Sequence, residues 1–223
     1  TKDSKRFNSI GEIDIAIKSI IKFAPFIRNI FLVTDDQKPD VFNNLKALAQ
    51  QNNINLILVD HKVIFKGYHQ YLPCFNSCSI GSMLFRIPNL AEHFIIFNDD
   101  TFLMRKTSVE DFFKNGVPVI RGKWEKFHEN RKIRTLYLSF LKTINKGPDA
   151  NKTSFKTFQQ QSAKLAGTSK YVRRFHTPVC VRKSTLDNFF QNRTSLLEEN
   201  ISFKFRDRSQ FIISSLSEHL EIK

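Results

Sequence analysis

The chain has 223 residues, 41% of them hydrophobic, which is enough to bury the core of one large or two small domains. We find no run near the ~20 apolar residues that cross a bilayer and no signal-peptide pattern after Thr1, so we expect a soluble protein. Lys and Arg number 35 against 21 Asp and Glu, a formal net charge of +14, so anionic partners are expected. Three cysteines are too few for a four-cysteine zinc site, and an odd number argues against a disulfide framework.

The first sixty residues alternate helix and strand patterns. Apolar side chains recur on one helix face over residues 12–23, and Pro25 ends that helix. Residues 30–33 and 54–59 are short apolar strands, and residues 39–51 between them fit a helix. A helix between two strands favours parallel pairing. The pattern predicts an α/β fold with a Rossmann-like (GT-A-like), mostly parallel sheet flanked by helices.

The remainder of the chain is less regular. Residues 78–86 predict a helix and 94–97 a third strand. We predict a strand near residues 112–120, a basic and aromatic helix over 124–144, a lid or loop over 146–169, and helices from residue 186 and over 210–220. We therefore divide a single domain into a Rossmann-like core, residues 1–120, and a helical, loop-rich part, residues 121–223.

Asn98, Asp99 and Asp100 directly follow the third predicted strand. Two adjacent carboxylates at a strand end present the hard oxygen ligands that a hydrated divalent cation prefers. The alternative is a turn in which aspartate caps the following backbone amides. These three residues alone leave both interpretations open.

The motifs around this tripeptide resemble those of a known protein family in their order and spacing. It extends over about the first hundred residues, with weaker matches at Phe175–Pro178 and Phe205–Asp207. Characteristic motifs are Ala24-Pro25-Phe26, Ile30-Phe31-Leu32-Val33-Thr34-Asp35, Leu72-Pro73-Cys74-Phe75-Asn76-Ser77, Arg86-Ile87-Pro88-Asn89-Leu90 and Phe97-Asn98-Asp99-Asp100. Together they resemble the Stealth family of sugar-phosphate transferases, and most closely its second characteristic region.

The resemblance implies an enzyme that moves a sugar-1-phosphate from a nucleotide sugar, usually a UDP-sugar, to an acceptor hydroxyl. Bacterial capsule polymerases belong to that family, so the implied acceptor is a polysaccharide or another polyanionic glycan. The implied cofactor is Mg²⁺ or Mn²⁺. The implied location is the cytoplasm, with peripheral association at the inner face of the membrane, and no nucleic-acid partner is expected because no nucleic-acid motif is present.

The resemblance also implies roles for individual residues. Asp99 and Asp100 would hold the metal or position the acceptor, since phosphoryl transfer needs a cation beside the transferred phosphate. His176 is the candidate base because histidine exchanges protons near neutral pH, and Arg206 could hold phosphate oxygens in a bidentate fork. The candidate substrate-binding residues are Asn76, Asn98, Arg28 and Lys18.

Plain structural interpretations stand beside these roles. His176 could be an ordinary loop histidine, Arg206 could belong to a surface ion-pair cluster, and the asparagines could serve turns. Two other functions also remain open. A metal-dependent glycosyltransferase would place carboxylates at a strand end too, and a non-catalytic polyanion-binding domain would use the net charge of +14.

Overall fold

The computed structural model describes residues 11–130 and 154–223, which form a mixed α/β structure with short strands. The helices are α1 (Glu12–Phe23), α2 (Phe42–Gln51), α3 (His61–Ile64), α4 (Ser77–Met83), α5 (Phe155–Ala166), α6 (Lys183–Phe190), α7 (Thr194–Ile201) and α8 (Ile213–Glu221). The strands are β1 (Asn29–Thr34), β2 (Asn55–Asp60), β3 (His93–Ile96), β4 (Phe113–Lys114), β5 (Val117–Pro118), β6 (Gly122–Glu125), β7 (Tyr171–Arg174) and β8 (Val179–Arg182).

The strands pair two by two. β1 and β2 are parallel, with Ile30 opposite Leu56, as expected for strands joined by a helix. The other pairs in the described residues, β3 with β8, β4 with β5 and β6 with β7, are antiparallel. The prediction of a mostly parallel sheet is therefore not confirmed. Its reasoning failed at β3, which takes its partner from the second half of the chain and not from β2.

Two hydrophobic cores hold the β1–β2 pair and the β3–β8 pair. α1 and α2 cover one face of β1 and β2 through residues such as Ile17 and Leu45. The larger core joins Met83 of α4 to Leu186 of α6 and Leu216 of α8. Residues from both sides of position 120 therefore share one core, and helices of the second half support strands of the first.

Two predictions for the second half are corrected. Trp124 lies in β6, opposite Val172 of β7, and does not begin a helix; most of the predicted 124–144 helix falls outside the described residues. Part of the predicted loop over 146–169 is helix α5. Ser154 caps its first turn by accepting a hydrogen bond from the backbone amide of Thr157, and Gly167 ends it at φ 83°.

The predicted strand near 112–120 is a small hairpin. Asn115 and Gly116 connect β4 and β5, and both have positive φ angles, 52° and 76°. A two-residue hairpin turn requires this backbone geometry, and the Asn-Gly pair adopts it at little cost. The hairpin lies beside β3, because the Nε2 atom of His93 is 2.8 Å from the carbonyl oxygen of Gly116.

The three cysteines are buried free thiols. Burial raises the pKa of Cys78 to about 11 and that of Cys180 to about 12, so both stay protonated at neutral pH. Within residues 11–130 and 154–223, no helix combines the length and apolar character needed to cross a membrane.

His219 of α8 is a fully buried histidine that ties this helix to β7. Its Nδ1–H donates to the carbonyl oxygen of Ser215 at 2.6 Å, and its Nε2 accepts from the backbone amide of Val172 at 2.8 Å. Only the neutral ring can make both bonds. Burial accordingly lowers the pKa of His219 below its usual 6.5.

This arrangement predicts that His219 contributes to loss of stability in acid. A histidine whose folded pKa is depressed stabilises the fold fully above its unfolded pKa, and that stability falls as pH drops below about 6.5. The free energy of unfolding of the wild type minus that of His219→Gln should therefore shrink on acidification, by at most about 1.4 kcal/mol per pH unit. Denaturant unfolding between pH 7.5 and 5 measures it. A constant difference would show that His219 is not buried in the neutral form.

Glu218, next to His219, has the opposite effect on stability as the pH falls. For this reason the test uses the difference between the free energies of unfolding of the wild type and the variant. Burial raises the pKa of Glu218 to about 7 despite its ion pair with Arg174. Its protonation below that pH favours the folded state, in wild type and variant alike. Subtracting the two curves removes this shared contribution.

Candidate active site

The pairing of β3 with β8 brings two distant loops together. Ile96, the last residue of β3, lies opposite Val179, the first residue of β8. In an antiparallel pair, the chain leaving one strand meets the chain entering the other. Residues 97–100 therefore lie beside residues 175–178, and this contact joins the strand-end carboxylates to His176.

His176 and Asp100 form a hydrogen-bonded pair. The Nε2–H of His176 donates to Oδ1 of Asp100 at 2.8 Å. The amide nitrogen of Asn98 lies 3.2 Å from Nε2 and 3.5 Å from Nδ1 of the same ring. Both side chains of the pair are more than half exposed, His176 at 57% and Asp100 at 60%, so a substrate can reach them.

This geometry suits a general base. A carboxylate that accepts from one ring nitrogen orients the imidazole and stabilises the cation it becomes on taking up a proton. With Nε2–H held by Asp100, the Nδ1 atom of His176 carries the lone pair that can accept a proton. The sequence predicted both residues, but only the structure pairs them.

Asp99 lies next to this pair and is exposed. Among the described residues it has no hydrogen bond or ion pair, so both carboxylate oxygens can bind a ligand. No group of three or more His, Cys, Asp or Glu side chains suited to a metal occurs in residues 11–130 and 154–223.

Arg206 belongs to a second polar surface. Its guanidinium donates to Oγ of Ser77, the first residue of α4, at 2.7 Å, and the side chain is otherwise exposed. The structure records no direct contact between Arg206 and the His176–Asp100 pair within the described residues. The described residues show no ion pair between Arg206 and Asp207, and Asp207 accepts hydrogen bonds from the backbone amide and hydroxyl of Ser209.

Exposed aromatic rings adjoin Arg206. The rings of Phe75 and Phe205 stack with centroids 6.2 Å apart, and the Lys204 ammonium lies 5.8 Å from the Phe75 ring centre. The two phenylalanine residues are 62% and 69% exposed. Sequence analysis did not single out this pair. The available signal was that each directly precedes a candidate site residue, Asn76 or Arg206.

The sequence predicted Asn76 as a substrate ligand, but the structure buries it at the start of α4. It is fully buried and caps α4, with its side-chain oxygen accepting from the backbone amide of Cys78. Its amide nitrogen donates both hydrogens, to the carbonyl oxygen of Phe203 and to Oε1 of Gln210. No donor is left for a ligand, so its role in this structure is to hold α4 against the segment that carries Arg206.

We expect Asn76→Ala to destabilise the fold by about 3 kcal/mol, because it removes a helix cap and leaves buried acceptors without a donor. The exposed Asn98→Ala is the matched control, with an expected change within about 0.5 kcal/mol. Chemical denaturation of both variants measures this. If Asn76→Ala unfolds like the wild type but binds substrate more weakly, Asn76 is a ligand after all.

The two remaining predicted substrate residues lie on α1 and directly before β1. Lys18 is on the exposed side of α1, where its ammonium pairs with Asp14 at 2.7 Å. Arg28 is exposed directly before β1. Neither makes a recorded contact with Asp100 or His176 in the described part of the chain.

A further polar group was missed at the carboxyl end of the parallel pair β1–β2. Nδ1 of buried His61 lies 3.6 Å from Oδ1 of Asp35 and has no hydrogen-bond partner in the described residues. Burial lowers the pKa of His61, opposed by the charges of Asp35 and Asp60. Ligands of open α/β sheets bind outside the carboxyl ends of the strands. The sequence signal was Asp60, which ends β2, followed directly by His61, which begins α3.

Comparison with known proteins supports the resemblance. The family model described as Stealth protein CR2, conserved region 2, matches residues 6–120. That match spans more than half of the 223 residues. The chain belongs to the Stealth family. The expectation from the motifs of the first hundred residues is thereby confirmed.

Some individual relatives are similar over most of the chain. The receptor polysaccharide phosphotransferase WefC of Streptococcus gordonii is 32% identical over 222 residues, covering 92% of this chain and 63% of WefC. A capsular polysaccharide phosphotransferase of Haemophilus influenzae is 43% identical over 120 residues, 53% of this chain and 30% of that protein. Another from Neisseria meningitidis serogroup B is 32% identical over 200 residues, which cover 90% of this chain and 48% of that protein. This Stealth chain thus spans about a third to under two thirds of these relatives' lengths.

Proposed function

We propose that this Stealth chain carries the catalytic residues of a polysaccharide phosphotransferase. It would move a sugar-1-phosphate from a nucleotide sugar, most simply a UDP-sugar, to a hydroxyl group of a polysaccharide acceptor. The observation that supports this most directly is the His176–Asp100 hydrogen bond beside the free carboxylate of Asp99. The names of the relatives, which are polysaccharide phosphotransferases, agree with this chemistry.

In the proposed reaction, Nδ1 of His176 takes the proton of the acceptor hydroxyl as its oxygen attacks the sugar-bearing phosphorus. The bond between that phosphorus and the oxygen bridging the two phosphates breaks, and the nucleoside monophosphate leaves. Asp100 holds the ring in position and stabilises the imidazolium. The product is a phosphodiester between sugar and acceptor.

The charge that develops on phosphoryl oxygens requires a counter-charge. Asp99 and the remaining carboxylate oxygen of Asp100 would hold Mg²⁺ or Mn²⁺, which when bound supplies that charge. The carbonyl oxygen of the Asn98 side chain is a third hard ligand in the same segment. These donors suit such a cation in chemical type.

The surface formed by Phe75, Phe205 and Arg206 is the proposed binding region for the donor. Exposed phenylalanine rings offer stacking area to a base or a sugar, and Arg206 offers a fork to phosphate oxygens. Arg28 and Lys18 remain proposed substrate contacts. The proposed architecture is a Rossmann-like sheet, whose strand ends would converge on this site.

Product analysis tests the reaction. The protein, in its longest natural form, is incubated with nucleotide sugars, an acceptor oligosaccharide and Mg²⁺ or Mn²⁺. Release of nucleoside monophosphate with a phosphodiester product supports the proposal. Release of nucleoside diphosphate would instead identify a glycosyltransferase, and binding without turnover would identify a polyanion-binding domain.

We further propose that exposed lysines and arginines outside the donor region form a basic surface that gathers a polyanionic acceptor. This would take place at the inner face of the membrane, where anionic lipids also attract positive charge. Lys170, Lys204 and Arg208 are exposed, and so are available for this role. Arg174 is not, because it is buried in an ion pair with Glu218.

The acceptor KM should therefore rise with ionic strength, since the Debye length falls from ~10 Å at 0.1 M salt to ~3 Å at 1 M. The donor KM should change less, because close contacts are screened less. The double variant Lys204→Gln/Arg208→Gln should weaken this salt dependence, whereas Lys46→Gln on the exposed side of α2 should not. An acceptor KM that is independent of salt would remove the proposed role of this surface.

A further inference from the structure

His176 lies in a loop whose side chains mostly face solvent. This loop, residues 175–178, connects β7 to β8, and those two strands belong to different pairs, β6–β7 and β3–β8. Phe175 is 52% exposed, and His176 and Thr177 are exposed as well. Side chains that face solvent contribute little to the position of a backbone. Contacts of the loop backbone must therefore fix it if the ring of His176 is to stay on Asp100.

Arg174, the last residue of β7, makes such a contact from the buried side of the loop. A terminal nitrogen of its guanidinium donates to the carbonyl oxygen of Thr177 at 2.7 Å. The amide of Thr177 in turn donates to the carbonyl oxygen of Phe175 at 3.0 Å. Both hydrogen bonds span His176, because each joins a residue before it to the residue after it. The backbone of His176 thus lies within a ring of atoms that the side chain of Arg174 closes.

Glu218 of α8 holds the guanidinium of Arg174 from its other side. Its Oε1 lies 3.3 Å from Nε of Arg174, and both side chains are only 6% exposed. α8 is itself fixed to β7, because Nε2 of His219 accepts from the amide of Val172. A continuous set of contacts therefore joins the helix, through the buried arginine, to the carbonyl oxygen of the residue after His176.

Stability alone does not explain this ion pair. Neither Nε of Arg174 nor Oε2 of Glu218 has a hydrogen-bond partner in the described residues. A buried ion pair stabilises a fold only when such groups are satisfied, and apolar residues of similar size often stabilise it as well or better. An apolar residue at position 174 would, however, offer no donor to the carbonyl oxygen of Thr177. The bond to the loop is what Arg174 adds.

We propose that Arg174, held by Glu218, is a positioning residue that fixes the loop 175–178 and so keeps the ring of His176 on Asp100. The inference rests on the proposed function, in which His176 is the base. A base must lie within hydrogen-bond reach of the proton that it takes, and a displacement of about 1 Å can lower a rate on the order of 100-fold. Because Arg174 is buried, it acts through the loop and not on the substrate.

The order of the loop provides the first test, which needs no substrate. The double variant Arg174→Met/Glu218→Leu removes the contact with the loop but keeps the space filled with apolar side chains, so the protein should still fold. Backbone ¹⁵N order parameters of Phe175, His176 and Thr177 should fall from about 0.85 to below about 0.6. If these order parameters stay at the wild-type value, the proposal is overturned.

Two further variants complete this test. Arg182→Met/Glu221→Leu is the matched control, because it removes another ion pair between β8 and α8 and should leave the loop ordered. Arg174→Lys replaces the first variant if that one does not fold. One ammonium cannot reproduce the spread donors of the guanidinium, so the same fall in the order parameters is expected and the same result overturns the proposal.

Kinetics provide the second test, at about pH 8, where Glu218 is ionised because its pKa is about 7. The rate constant kcat per folded molecule should fall about 10-fold to 100-fold in Arg174→Met/Glu218→Leu, while the donor KM stays near the wild-type value. In a His176→Ala background, the same two substitutions should change the residual rate by no more than about 2-fold. An unchanged kcat, a rise in the donor KM alone, or an equal loss in both backgrounds overturns the proposal.

The two tests distinguish a failure of this inference from a failure of the proposed function. If the loop loses order in the variant but the wild type releases no nucleoside monophosphate, the proposed reaction is wrong and the role of Arg174 in holding the loop stands. If the wild type is active and depends on His176, but the loop stays ordered in the variant, the inference alone is wrong.

Discussion

Asp99→Asn and Asp100→Asn are each expected to lower turnover by on the order of 100-fold or more, the loss typical of removing one charge-stabilising group. The measurement is nucleoside monophosphate release by the protein in its longest active form. Asp187→Asn, an exposed aspartate paired with Lys183 on α6, is the matched control and should keep the wild-type rate.

The two variants should fail in different ways. Asp99 is free of protein partners in the described residues, so its loss should raise the Mg²⁺ or Mn²⁺ concentration needed for half-maximal rate. Asp100 accepts a hydrogen bond from His176. Its loss should also alter the pH–rate profile, because the imidazole of His176 then loses the carboxylate that orients it. Near-wild-type rates for both variants across a metal titration would show that the site has been placed wrongly.

His176→Ala is expected to remove most of the activity, by ~100-fold to 10,000-fold as for other general bases. The acidic limb of the wild-type pH–rate profile should disappear with it. His69→Ala is the control, because His69 is also exposed and, among the described residues, its ring contacts a backbone carbonyl oxygen, that of Lys62. Rates are normalised to folded protein, so a variant with reduced stability but an unchanged normalised rate would support the loop-histidine interpretation.

A double-mutant cycle of His176→Ala with Asp100→Asn tests whether the two residues act together. Groups that act as a unit give strongly non-additive losses, so the double variant should be little worse than His176→Ala alone. Fully additive losses would mean that the hydrogen bond seen between them is not used in the reaction.

Several elements could be predicted from local sequence because their causes are local. The apolar spacing of α1 and the short apolar runs of β1, β2 and β3 specify the element type through side-chain periodicity. The caps of α5 were also in the sequence, at Ser154 and Gly167, but the polar composition around them favoured a loop. The helix is amphipathic, and packing against α8 provides the stability that its composition did not suggest.

Site residues were harder to interpret, because residue type does not specify the partner. Asn76 has the same polar side chain as Asn98, but one is buried and caps a helix while the other is exposed beside His176. Arg206 was predicted for phosphate chemistry, and the structure places it with Ser77 and two exposed phenylalanines. Burial and partners depend on contacts between residues that are 78 to 134 positions apart in sequence.

The sequence by itself determined that this is an α/β protein of the Stealth family, with two carboxylates at the end of β3. Periodicity and motif spacing are local properties, so they can be recognised without knowledge of the fold. Only the tertiary structure decided that β3 pairs with β8, which brings His176 to 2.8 Å from Asp100 across 76 residues of sequence. Strand pairing is selected by the packing of whole faces and not by the paired residues alone, so no local pattern specifies it.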